Sequence, residues 1–187
     1  NLTTPARETN IQYLTDWNYV QPYRGIRNRA TTATVTQNAV NGNLMAGTRV
    51  LFNNFYDQYN ITNTTLETSI GNAQQRTASF DGNYSPRGNV TQTIAGGVST
   101  QTKYDITGMP RKTYVNNQET ANVTAGTNNA VPQVITPFGN SNLSHSLSWN
   151  AALAPTGDSG PNGASMSIGY DGNARPTSQT SPHGAQT

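Results

Sequence analysis

Tyr-Asp pairs, each followed within a few residues by a turn-forming position, recur along this chain and open stretches dominated by Thr, Asn and Gln. The clearest are Tyr104-Asp105-Ile106-Thr107-Gly108 and Tyr170-Asp171-Gly172-Asn173-Ala174-Arg175-Pro176, with a looser version at Tyr56-Asp57-Gln58-Tyr59-Asn60-Ile61-Thr62. A short unit repeated along a chain restricts the fold to stacked, quasi-one-dimensional architecture. Arg-Gly recurs ahead of Tyr-Asp: Tyr23-Arg24-Gly25-Ile26 precedes Tyr56, and Pro86-Arg87-Gly88-Asn89-Val90-Thr91 precedes Tyr104. The order is kept and the spacing is not, so loops of different length hang from similar strand pairs.

Composition decides between disorder and sheet. Only 33% of the 187 residues are hydrophobic, which alone would permit disorder, but only 11% are charged. Disordered chains carry high charge and few aromatics. Nine Tyr, four Phe, two Trp and 28 Thr instead favour half-buried extended strands. From Leu143 to Ala151 apolar-leaning residues alternate with Ser144, Ser146, Ser148 and Asn150, and Met166, Ile168 and Tyr170 alternate with Ser165, Ser167 and Gly169. The two runs read as antiparallel strands joined by a Gly/Pro-rich loop over 156–163. Ala30 to Thr36 and Arg49 to Phe52 read as a further pair, turned by Asn41-Gly42-Asn43. Gly96-Gly97 and the Asp-Gly pairs at 81 and 171 supply the positive φ of tight turns. The fold class is all-β, antiparallel strand–turn repeats forming a curved sheet or part of a hollow shell, with 1–49 as an N-terminal β segment and 50–187 as the repeat region.

On these residues the chain resembles the Rhs, or YD-repeat, family, whose loose pattern is Tyr-Asp, two residues, Gly-Arg, then Thr-rich strand. The segment beginning at Tyr170 fits with Ala174 where Gly is expected. The one beginning at Tyr104 keeps Gly108 and delays the Arg to Arg111. The one beginning at Tyr56 fits if the Gly is deleted. The resemblance implies a bacterial secreted or cell-surface β-shell whose partners are other parts of the same shell or identical subunits, and which encloses a toxin domain. No Asp-Pro dipeptide is present, so the self-cleaving segment of that family is not expected in this stretch, and the chain reads as a fragment. A comparable shell serves adhesion in the teneurins.

Each motif residue also has a local physical role. Tyr56, Tyr104 and Tyr170 bring flat rings, and Asp57, Asp105 and Asp171 cap turns through a side-chain oxygen. Gly108 supplies positive φ, and Arg111 and Arg175 extend outward or pair with a carboxylate.

Chemistry is sparsely represented. There is no cysteine, which removes disulfides and thiolate metal sites, and neither His145 nor His183 sits in a nucleophile or metal-ligand pattern. The three acids of the repeats lack the clustering of a calcium loop. No cofactor and no catalytic residue is assigned. A net charge of +2 is too small for a nucleic-acid footprint. No apolar run reaches the length of a membrane span. Several Asn-x-Ser/Thr sequons occur, as chance dictates in a chain this rich in both residues. The candidate ligand surface is Trp17, Tyr19 and Tyr23 beside Arg24, whose aromatic and charged groups suit a glycan or a protein partner.

Overall fold

A computed structural model describes residues 6–20, 25–38, 46–67, 86–126 and 130–182. Twelve strands dominate them: β1 (Arg7–Tyr13), β2 (Ala30–Gln37), β3 (Gly47–Tyr56), β4 (Val90–Ala95), β5 (Val98–Tyr104), β6 (Pro110–Val115), β7 (Gln118–Ala125), β8 (Pro132–Pro137), β9 (His145–Trp149), β10 (Pro155–Ser159), β11 (Ser165–Tyr170) and β12 (Pro176–Thr180). Among the described residues helix is confined to one turn, α1 (Trp17–Val20), and two 3-10 turns, Ser141–Leu143 and Pro161–Gly163. The all-β antiparallel strand–turn fold read from the sequence is therefore the observed one.

The chain divides into two units, Asn1–Leu66 with Arg76–Lys103 and Val115–Asn117, and Glu67–Gln75 with Tyr104–Tyr114 and Gln118–Thr187. Within each, consecutive strands pair in chain order as a meander. Short turns make this possible. Gly96 and Gly97 (φ 57° and 82°) close β4 onto β5, and Asn116 and Asn117 (φ 48° and 67°) turn the chain in the same left-handed conformation. Gly172 does not hold the positive φ expected of it; Ala174 does, at 59°.

The 156–163 segment is not a loop. It contains β10, which pairs with β9 on one side and β11 on the other, so the two alternating runs are separated by a strand. Gly157 fits there because a Cβ would stand 3.2 Å from the Met166 carbonyl oxygen. The alternation itself is accurate over His145–Trp149, where inward residues are half-buried and Ser146 and Ser148 exposed. Leu143 falls in a 3-10 turn and Ala151 in the following hairpin. The turns placed at Asn41-Gly42-Asn43 and Asp81-Gly82 lie outside the described residues, as does His183.

Among the described residues few side chains are buried, and most of those are polar: Ala33, Tyr56 and Ile106 are the buried hydrophobic residues, against Thr64, Thr91, Gln101 and Asp105. Buried polar atoms must be paired, and these are. The Gln101 amide nitrogen donates to the Thr62 carbonyl at 3.0 Å while its oxygen accepts from Asn63. The Thr64 hydroxyl lies 2.6 Å from the Gln58 carbonyl and 2.9 Å from that of Ile61. Residues 57–67 are thus held by hydrogen bonds where an apolar core is lacking.

Candidate functional site

The recurring hairpins form the one organised constellation that the motif residues enter. In the second unit the Asp105 backbone N–H donates to the Met109 carbonyl at 3.0 Å, and that of Asp171 to Arg175 at 2.9 Å. Each Asp side chain then accepts from the backbone two and four residues on: Asp105 Oδ1 from Thr107 (2.8 Å) and Met109 (3.1 Å), Asp171 Oδ1 from Asn173 and Arg175 (both 2.9 Å). The left-handed position falls on Gly108 in one and Ala174 in the other. The arginine of each motif folds back on its own acid. Arg175 Nε is 2.7 Å from Asp171, and Arg111 is 3.4 Å from Asp105.

A further copy carries Asn in place of Asp. The Asn150 N–H donates to the Ala154 carbonyl, its Oδ1 accepts from Ala152 and Ala154 (both 3.0 Å), and Leu153 takes the positive φ at 60°. Sequence reading missed it because Trp149-Asn150 lacks the Tyr-Asp signature. The legible signal is aromatic, Asx, three residues, any residue, Pro. It occurs at Tyr104 to Pro110, Trp149 to Pro155 and Tyr170 to Pro176, and also at Phe80 to Pro86, of which all but Pro86 lies outside the described residues.

Tyr56-Asp57 makes the same closure across a much longer connection. Asp57 N–H donates to the Asn89 carbonyl at 2.9 Å, and its carboxylate accepts from the N–H groups of Arg87 and Gly88 (both 2.7 Å) and Asn89 (3.2 Å), 30 to 32 residues along. Gly88, at φ 75°, corresponds to Gly108. The glycine of this copy is displaced to 88 and not deleted. Arg87-Gly88 closes the Tyr56 hairpin and does not introduce the one at Tyr104. The carboxylate also accepts from the Tyr59 hydroxyl at 2.8 Å. Burial and the neighbouring Asp57 push the phenols of both Tyr59 and Tyr19 well above the ordinary tyrosine range.

Beside these closures the ladder carries a bulge. Tyr13 opposes Ala30 while Gln12 opposes Thr32, leaving Thr31 extra. Thr91, Gln133, Thr156 and Thr177 are skipped in the same way. A bulge leaves backbone groups without ladder partners, and a hydroxyl carried on Cβ can reach one. Thr31 donates to the Gln12 carbonyl at 3.3 Å and Thr91 to that of Phe55 at 3.1 Å.

The aromatic residue supplies a second link, between hairpins. Tyr56 Oη donates to the Ala30 carbonyl at 2.7 Å, Trp149 Nε1 to Pro132 at 2.6 Å and Tyr170 Oη to Pro155 at 2.8 Å. In each case the acceptor is the residue just before the bulge of the preceding hairpin. The aromatic thus ties its own turn to the one two strands back, a nearest-neighbour coupling of the kind that stabilises repeat proteins.

The proposed ligand surface is less coherent. Trp17 is 67% exposed on α1. Tyr19 turns away from it, its hydroxyl 3.4 Å from the Tyr56 carbonyl and close enough to Asp57 to feel its charge. Tyr23 and Arg24 lie outside the described residues. His145, half-buried on β9, meets Asp158 at 3.0 Å, an ion-pair geometry that no sequence spacing revealed. Among the described residues no three His, Cys, Asp or Glu side chains gather to hold a metal, and no helix is long and apolar enough to cross a membrane. No protein-family model matches the chain, and no curated protein matches it.

Proposed function

We propose that this chain is a structural segment of a secreted or surface-displayed Rhs-like β-shell, which encloses or scaffolds a partner or toxin domain. The observation that carries the reading is the recurrence of one hairpin geometry in which the aromatic side chains of Tyr56, Trp149 and Tyr170 each couple their own turn to the preceding one. Such coupling serves a wall that extends by repetition, and the polar, paired interior suits a surface solvated on a broad scale. The acids of the motif are consumed by backbone donors, which leaves them to shape the chain and not to bind a ligand. Electron microscopy of the intact protein that carries this chain tests the reading. A closed shell with these hairpins in its wall is the expected result, and a solid globule or a rod contradicts it.

An adhesive role draws on the exposed indole of Trp17. Loss of glycan or cell-surface binding in Trp17→Ala, with the melting temperature unchanged, is the result that would favour it over the shell.

A further inference from the structure

The hairpin motif makes no use of His145 and Asp158, which meet across β9 and β10. His145 Nδ1 stands 3.0 Å from Asp158 Oδ1 and 3.2 Å from Oδ2. Among the described residues no Lys or Arg pairs with this carboxylate, so its partner is the imidazole and not a fixed cation. The ring lies across Gly160, where a Cβ would stand 3.0 Å from Cε1 and 3.3 Å from Nδ1. A side chain at 160 would push the imidazole aside, and glycine leaves it room over the end of β10.

Register brings a third group to the same place. Asp158 opposes Leu147 on one side and Met166 on the other, and His145 precedes Leu147 by two residues, so these side chains share one face of the sheet. His145, Asp158 and Met166 line a single cleft of about 90 Å³. The Met166 sulfur is steered by the Gln179 amide, whose Nε2 donates to it at 3.5 Å. Side-chain exposures of 42% for His145 and 32% for Asp158 leave the cleft reachable from solvent.

These groups have the chemistry of a soft metal site. When Nδ1 keeps its proton against the carboxylate, Nε2 carries the lone pair of the ring, and Nε2 has no hydrogen-bond partner among the described residues. A carboxylate behind one ring nitrogen fixes the tautomer of a metal-binding histidine and raises its basicity. Imidazole with a thioether suits copper(I). Zinc instead takes a closed set of Cys, His and carboxylate ligands, and among the described residues no three such side chains gather.

We propose that His145 Nε2 and the Met166 sulfur bind copper(I) on this face, with Asp158 as the positioning group behind Nδ1. Every residue involved belongs to one unit of the chain. The proposal does not rest on the shell, and it stands or falls independently of the microscopy above.

Absence of cysteine makes the test clean, because no thiolate competes for the metal. In anaerobic solution the whole chain should withdraw copper(I) from bicinchoninate, and His145→Ala should abolish the transfer. Met166→Leu, which keeps the volume of the side chain, should weaken binding about a hundredfold, and Asp158→Asn, which removes only the partner of Nδ1, about tenfold. Met109→Leu should leave the affinity unchanged. X-ray absorption at the copper edge should show a sulfur scatterer that Met166→Leu removes. A wild-type chain that takes no copper(I), a spectrum without sulfur, or binding equally sensitive to Met109→Leu and Met166→Leu overturns the proposal.

Discussion

The hairpins at Asp105 and Asp171 have the same hydrogen-bond pattern in opposite surroundings. Asp105 is fully buried, with the Thr107 hydroxyl added to its backbone donors. The Asp171 side chain keeps contact with water, and its arginine partner is largely exposed. Turn geometry is therefore set locally, by an Asx side chain accepting from residues two and four ahead. Burial sets only how much its loss costs. A carboxylate withdrawn from water is tolerated because its donors are already in place, and removing it strands those donors.

Substituting the two acids separates these contributions. Asp105→Ala should cost about 3 kcal/mol, because at least two backbone N–H groups and the Thr107 hydroxyl lose their acceptor in a buried site. Urea denaturation measures this, and the midpoint for Asp171→Ala should move clearly less. Equal shifts would mean that burial contributes nothing. Thr91→Val comes next, at about 2 kcal/mol, since the fully buried hydroxyl donates to Phe55 and accepts from the Gln58 N–H.

Leu153→Gly should stabilise by about 1 kcal/mol, because a Leu in the left-handed region carries a steric penalty that glycine does not. A melting temperature that falls would show that the exposed Leu153 side chain makes an interaction worth more than the strain.

Two pH dependences complete the comparison. The backbone and side chain of Arg175 hold the Asp171 carboxyl below its usual range. Its contribution is present above the unfolded value and is lost as pH falls through the depressed one, so acid unfolding of Asp171→Asn should be shallower at the lowest pH. Tyr19 and Tyr59 are shifted upward. Stability is full below about pH 10 and falls as pH rises past it, because unfolded phenols ionise first. Tyr59→Phe should flatten that alkaline loss.

Much of the fold was legible because strand alternation and turn residues are local. The Ser-spaced run ending at Trp149 and the Thr-rich run from Ala30 both fall on strands. β10 was hidden by its Gly, Pro and Asp residues, which resemble a loop until both neighbours pair with it. The site was half legible. Residue type suggests that Asp105 and Asp171 cap turns, but the Asp57 closure depends on residues 30 and more positions away, and composition cannot show that. Trp149-Asn150 escaped notice because the geometry asks for any aromatic donor and any Asx acceptor, whereas a motif search asks for Tyr and Asp. The link from aromatic to preceding hairpin is a relation between turns, so no single copy contains it.

Hydrogen exchange in Tyr170→Phe tests the central claim most directly. Removing that hydroxyl takes away the donor to Pro155 while leaving its own turn intact. The coupled account predicts faster exchange, about fivefold, at Ala152 and Ala154 in the preceding hairpin, the value of one hydrogen bond. Exchange altered only between residues 165 and 180 would show that the hairpins stand alone.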